Sequence, residues 1–194
     1  MAARMTDRLV TTTIPTPLGE LSAVVSSVGV VATFFDDEDA DLELERLEAR
    51  LSAPIVRTGR GLSDVRREIE AYFRGAERAF ATPVDLRLAG VGFSRRVLEA
   101  TMSIPYGELA TYGDMAAAAG SLRGGRAAGN ALNRCAIELF VPCHRVVHAG
   151  GTIGGYGRYE GRKRWLLRHE GATSDPDIRT RGEKIAATRR RPVP

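Results

Sequence analysis

Cysteine and histidine are scarce in this chain of 194 residues: two of the first and three of the second, with neither before position 135. That scarcity excludes a disulfide framework and favours a reducing setting. It also excludes a zinc site built from cysteine or histidine anywhere in the first 134 residues. Long apolar runs are missing as well. No stretch approaches the roughly 18 apolar residues of a membrane span, and residues 1–7 lack the apolar core of a secretory leader. The expected location is therefore the cytoplasm, at the nucleoid if the source is bacterial. Internal repeats are absent, and low complexity is confined to the tail.

What is present is an ordinary globular composition, 43% hydrophobic and 27% charged, in a length that suits one domain or two small ones. The charge is unevenly placed. Residues 1–90 carry 11 basic and 15 acidic side chains, whereas residues 91–194 carry 17 basic and 9 acidic ones. A basic second half suggests a polyanionic partner; the plainer reading is that positive charge keeps the protein soluble.

Read along its length, the chain predicts an α+β fold. β-Branched runs at 11–14, 21–26 and 28–35, broken by Pro15, Pro17, Gly19 and Gly29, predict a small antiparallel sheet. An acidic start at 36–41 opens a helix to about Leu51, with Leu42, Leu44, Leu47 and Leu51 on its apolar side. A second helix follows Ser63 as its N-cap, carries Val65, Ile69, Tyr72 and Phe73, and stops at Gly75. Residues 76–91, with Pro83 and Gly90, read as an extended linker. The domains are accordingly placed at 1–90 and 91–172, followed by a basic, disordered tail over 173–194.

The second domain reads as short helices at 94–102, 111–119 and 126–132. Residues 139–141 then form a buried strand, and a glycine-bearing loop leads to Tyr156. A last helix over 160–169 has Trp165, Leu166 and Leu167 packed, with Glu170 at its end. Two short helices joined by a glycine-bearing turn look like a helix-turn-helix. The third helix begins Arg126-Ala127-Ala128-Gly129-Asn130-Ala131 and has few side chains able to read base edges. Small residues suit close, sequence-indifferent contact, as in a minor groove; tight helix packing would use them equally well.

The densest chemistry lies in Pro142-Cys143-His144-Arg145-Val146-Val147, where a cysteine stands beside a histidine. A thiolate is a strong nucleophile, and an imidazole is its usual activator. On a continuing strand the two side chains would point to opposite faces, so cooperation requires a turn or a bridging water.

Tyr112, Arg126, the run 141–147, Gly154-Gly155-Tyr156, Lys163 and the run 165–171 stand in the order and spacing of the 6-O-alkylguanine-DNA alkyltransferases, and the chain resembles that family closely over 93–171. The resemblance implies a ribonuclease H-like first domain and a winged-helix-like second domain. It further implies repair of 6-O-methylguanine, and also of 4-O-methylthymine, in double-stranded DNA, by a monomer that needs no cofactor or metal. Cys143 would accept the alkyl group irreversibly, His144 would act as base through water, Glu170 would orient it, and Tyr112 would donate to the purine. Arg126 would fill the stack vacated by the flipped nucleotide, with Ala127 and Gly129 pressed to the groove. Val146, Val147, Tyr156, Gly157, Arg158 and Lys163 would line or brace the pocket. Trp165 reads as core rather than a base-stacking residue.

Two departures stand out. Cys135 and Ala136 occupy the place of the family's Asn-Pro pair, and cysteine is a poor hydrogen-bonding substitute. Gly157-Arg158-Tyr159 stands where the family has Gly-Gly. The alternative within the resemblance is a non-catalytic sensor of alkylated bases, which the presence of Cys143 opposes. A helix-turn-helix regulator and a cysteine hydrolase are the readings from other classes.

Overall fold

The structure, a computed structural model, describes residues 8–36, 39–58, 62–149, 152–156 and 160–172. The predicted tail and residues 157–159 lie outside the described residues. Contacts divide the chain into two units, one of Met1–Leu88 with Ala136–Glu138, the other of Ala89–Cys135 with Leu139–Pro194. Among the described residues no helix is long and apolar enough to cross a membrane.

The first unit is built on strands β1 (Leu9–Thr16), β2 (Gly19–Val25) and β3 (Val30–Phe35). β1 and β2 pair antiparallel, with Ile14 opposite Leu21 and Thr16 opposite Gly19. The Thr16 hydroxyl secures the connecting turn by accepting from the Leu18 N–H at 3.1 Å and donating to the Gly19 carbonyl at 2.6 Å. A fourth strand, β4 (Ile55–Arg57), joins β1 in parallel, so the sheet is mixed, in the order β3-β2-β1-β4, rather than purely antiparallel as expected. Three residues are too few for alternation to announce a strand, which is why β4 escapes the sequence.

Helix α1 (Ala40–Leu51) starts later than the acidic run suggests. The Asp36 N–H still bonds the Glu20 carbonyl, which prolongs the sheet, and Asp39 caps the helix by accepting from the Leu42 N–H at 3.0 Å. Leu44 and Leu47 are buried with Leu9, Val24, Val31 and Ala32, whereas Leu42 remains 42% exposed. In α2 (Ser63–Phe73) the cap position belongs to Leu62 and carries no side-chain hydrogen bond; Ser63 is the first helical residue, not the N-cap.

Nor is the predicted linker free. The buried Glu68 carboxylate accepts from the N–H groups of Ala81 and Thr82 and from the Thr82 hydroxyl. Val30 and the 83–85 segment exchange backbone hydrogen bonds of 2.9 and 2.8 Å. Side-chain anchoring of this kind has no periodicity to betray it. The unit also recruits residues 136–138: Thr33 donates its N–H to Ala136 and its hydroxyl to Glu138, each at 2.7 Å.

The second unit holds α3 (Phe93–Met102), β5 (Ala110–Thr111), α4 (Tyr112–Ala118), α5 (Gly125–Asn133), a 3-10 turn at Cys143–Arg145, β6 (Val146–Val147) and α6 (Glu160–His169). Thr111 and Asp114 start α4 with a reciprocal capping box. β5 and β6 pair in parallel, Ala110 with Val146 and Thr111 with Val147. Leu109, Val147, Ile153, Leu167 and Ala172 form a core beneath them. Residues 139–141 are buried but form no strand, because Leu139 takes φ of +69° and turns the chain. Leu166 and Leu167 are fully buried, but Trp165 is only half-buried and stacks on His169 with ring centres 4.8 Å apart, so its placement in the core is corrected.

Candidate active site

A tight turn, not a continuing strand, carries the adjacent Cys143 and His144. The chain bends through the 3-10 turn, with the Cys143 N–H on the Val141 carbonyl at 2.7 Å and the Arg145 N–H on the Pro142 carbonyl at 2.9 Å. Cys143 is 8% exposed and His144 fully buried.

The acid of the trio sits just past α6. The Glu170 carboxylate lies 2.8 Å from His144 Nε2, accepts from Arg145 Nε at 2.8 Å and Nη2 at 2.9 Å, and takes the Gly107 N–H at 3.2 Å. Arg145 Nη1 donates onward to the Ile104 carbonyl at 2.6 Å. Burial alone would raise the Glu170 pKa, but the combined pull of His144 and Arg145 wins and holds it well below the ordinary carboxylate range. An ionised carboxylate only accepts, so His144 Nε2 is the protonated ring nitrogen. Burial pushes the His144 pKa below that of free imidazole, against the opposing pull of Glu170. The neutral ring then leaves Nδ1 with its lone pair, and that atom is buried without a hydrogen-bond partner. A buried imidazole nitrogen in this state is poised to accept a proton.

Lys163 projects from α6 into the same interior. It is fully buried, donates from Nζ to the Val146 carbonyl at 2.6 Å, and lies 5.8 Å from the centre of the Tyr112 ring. Desolvation lowers its pKa to about 8, partly countered by Cys143 when that residue is a thiolate. Tyr112, at the start of α4, has its pKa raised by burial and, when Cys143 is a thiolate, by that charge. Val146 and Val147 are buried in β6, and the Val146 carbonyl is already engaged by Lys163. Tyr156 is buried and meets the His144 ring edge-on at 6.3 Å. Gly157 and Arg158 lie outside the described residues.

Helix α5 presents Arg126, Ala127 and Asn130 to solvent and turns Ala128, Ala131 and Leu132 inward. Ala128 packs inward, as the helix-packing reading requires, while Ala127 is exposed. Gly129 faces Tyr112: a Cβ there would lie 3.7 Å from the ring. Cys135 follows α5 half-buried, and its N–H bonds the Leu132 carbonyl.

The sequence reading left Arg145 and His148 without roles. For Arg145 a cue existed: a guanidinium inside the apolar run 139–147 must be buried and needs a carboxylate. His148 offered none, because its contact with Tyr112 arises only through the fold.

A small helical unit carrying a buried cysteine next in sequence to a histidine that bonds a buried carboxylate defines a class, proteins with a candidate thiol nucleophile. Comparison with known proteins specifies it. A family profile described as 6-O-methylguanine DNA methyltransferase, DNA binding domain, matches residues 92–172. A DNA base-flipping protein of Thermus thermophilus is 38% identical over 164 residues, covering 82% of this chain and 98% of the relative. The constitutive methylated-DNA–protein-cysteine methyltransferase of Bacillus subtilis is 34% identical over 145 residues, covering 75% of this chain and 84% of the relative. The crystal structure of Mycobacterium tuberculosis O6-methylguanine methyltransferase superposes with a TM-score of 0.73 at 30% identity, over 88% of this chain and 97% of that one. The chain belongs to the 6-O-alkylguanine-DNA alkyltransferase family.

Proposed function

We propose that Cys143 removes the alkyl group from O6 of guanine in double-stranded DNA, once per molecule. At the coarser level the chain is a DNA-binding repair protein, a methylated-DNA–protein-cysteine methyltransferase. The observation that carries the finer reading is the polar line that starts at the residue after Cys143: an ionised Glu170, a neutral His144 protonated at Nε2, and a buried Nδ1 without a hydrogen-bond partner among the described residues.

The steps follow from these groups. His144 Nδ1 takes the thiol proton through one water, and Glu170 holds the ring and stabilises the imidazolium formed. The thiolate attacks the alkyl carbon in line; the S–C bond forms as the C–O6 bond breaks, and the electron pair leaves with the purine. Tyr112 donates to the purine and eases its departure. Lys163 stabilises the thiolate and pins β6 through Val146. Because the target atom lies within the base stack, the nucleotide must be flipped out, at a cost of a few kcal/mol. Exposed Arg126 enters the gap while Ala127 lets α5 approach the minor groove and Gly129 seats Tyr112 against the helix. The unit beginning at Ala89 carries all of these groups; 4-O-methylthymine is a further candidate substrate, and the protein works as a cytoplasmic monomer.

One observation supports a second reading, that of a lesion sensor: the Thermus thermophilus relative, matched over 98% of its length, is named for base flipping rather than transfer. Duplex DNA labelled on the methyl of 6-O-methylguanine separates the two. Transfer moves label to the protein up to one equivalent, and Cys143→Ser abolishes it. Tight binding with all label left on DNA favours the sensor.

A further inference from the structure

Tyr112 is a poor proton donor where it stands, because burial, and the charge of Cys143 once it is a thiolate, both oppose formation of a phenolate. Donation to a departing purine therefore needs a compensating partner at the phenol oxygen. The fold supplies one group in position. His148, one residue beyond β6, places its ring 5.1 Å from that of Tyr112 at an angle of 55°. Its backbone is fixed by a 3.0 Å hydrogen bond from its N–H to the Thr152 carbonyl. Gly154, at φ of +73°, lies between the two polar ends: a Cβ there would sit 2.8 Å from the Tyr112 hydroxyl oxygen and 3.1 Å from His148 Nε2. Both atoms thus converge on one small space that only a glycine leaves open.

We propose that His148 Nε2–H donates to the Tyr112 oxygen during alkyl transfer, making His148 a positioning residue that acts through Tyr112. As the C–O6 bond breaks, the phenol proton moves toward the purine. The His148 Nε2–H follows onto the phenol oxygen while Nδ1 of the same exposed ring takes a proton from water, so the imidazole changes tautomer and stays neutral. Atoms and charge balance with water as the only further participant. Among the described residues, the other titratable or charged groups near Tyr112 are Lys163 from α6 and Cys143 from the 3-10 turn. Both belong to the transfer machinery. The proposal rests on the transfer reading above and adds a residue to it.

Single-turnover methyl transfer at saturating lesion DNA tests it, with binding measured separately. His148→Phe keeps a ring against Tyr112 but has no N–H. It should slow transfer about tenfold, within the range of general acid–base effects, while DNA affinity stays within about twofold of wild type. His148→Gln, which retains a donor, should recover part of the rate. In a Tyr112→Phe background His148→Phe should add nothing further. A wild-type rate for His148→Phe, a loss confined to affinity, or full additivity with Tyr112→Phe overturns the proposal. If the unsubstituted protein gains no methyl at all, the transfer reading itself fails and this proposal falls with it.

Discussion

Glu170 is shared between a buried guanidinium and a buried imidazole, and its removal strands both. Arg145 keeps its charge under all conditions and would be left with the Ile104 carbonyl and the face of the Tyr106 ring, neither of them a counter-charge. Glu170→Ala should cost about 3–5 kcal/mol, the usual penalty for breaking a buried pair from one side, read from the denaturant midpoint. Acid should act on the same groups. His144 has a folded pKa below that of free imidazole, so below about pH 6.5 the unfolded chain binds a proton that the folded chain refuses. Glu170, also depressed, has the same sign below about pH 4.3. Stability should therefore fall progressively as pH drops from 6.5, and the acid limb of the transfer rate should lie below that value. A flat denaturant midpoint from pH 7 to pH 4 would contradict this. The cysteine and histidine were legible because the residues are rare and adjacent. The tautomer and the arginine were not, since both depend on a carboxylate 25 or 26 residues away.

At the scale of elements, glycine marks where two segments approach. Gly129 lies inside α5 with a Cβ position 3.7 Å from the Tyr112 ring, an ordinary contact distance. Gly129→Ala should be accommodated and raise stability by about 0.5–1 kcal/mol through helix propensity, visible as a higher melting temperature. Gly154→Ala should behave oppositely, because its Cβ would strike the Tyr112 hydroxyl from a left-handed backbone. Slower transfer with little change in DNA affinity is expected, measured as single-turnover rate against binding. Helices α1 to α6 were readable from glycine stops and apolar spacing, whereas the starts of α1 and α2 were not. What escaped was short or irregular: β4 with three residues, and residues 139–141, where Leu139 at positive φ replaces the expected strand. A leucine in that conformation gives no warning in sequence, because leucine normally avoids it.

For the whole molecule, the chain order hides one excursion. Residues 136–138, only five positions before Cys143 at their nearest, pair with β3 of the first unit through Thr33. Thr33→Val keeps the shape and removes the hydroxyl donor to Glu138, and should lower stability by about 1 kcal/mol in a urea titration. No change would mean that this carbonyl finds water instead. The sequence placed this stretch wholly with the second domain, since nothing in Ala136-Ile137-Glu138 reports on a partner a hundred residues earlier. The central assertion concerns the whole protein acting once and then being spent, and peptide mass mapping addresses it most directly. After incubation with excess duplex containing 6-O-methylguanine, the fragment bearing Cys143 should carry one methyl group in every molecule, with the Cys135 thiol unmodified. An unmodified Cys143 in reduced, DNA-bound protein would contradict the account.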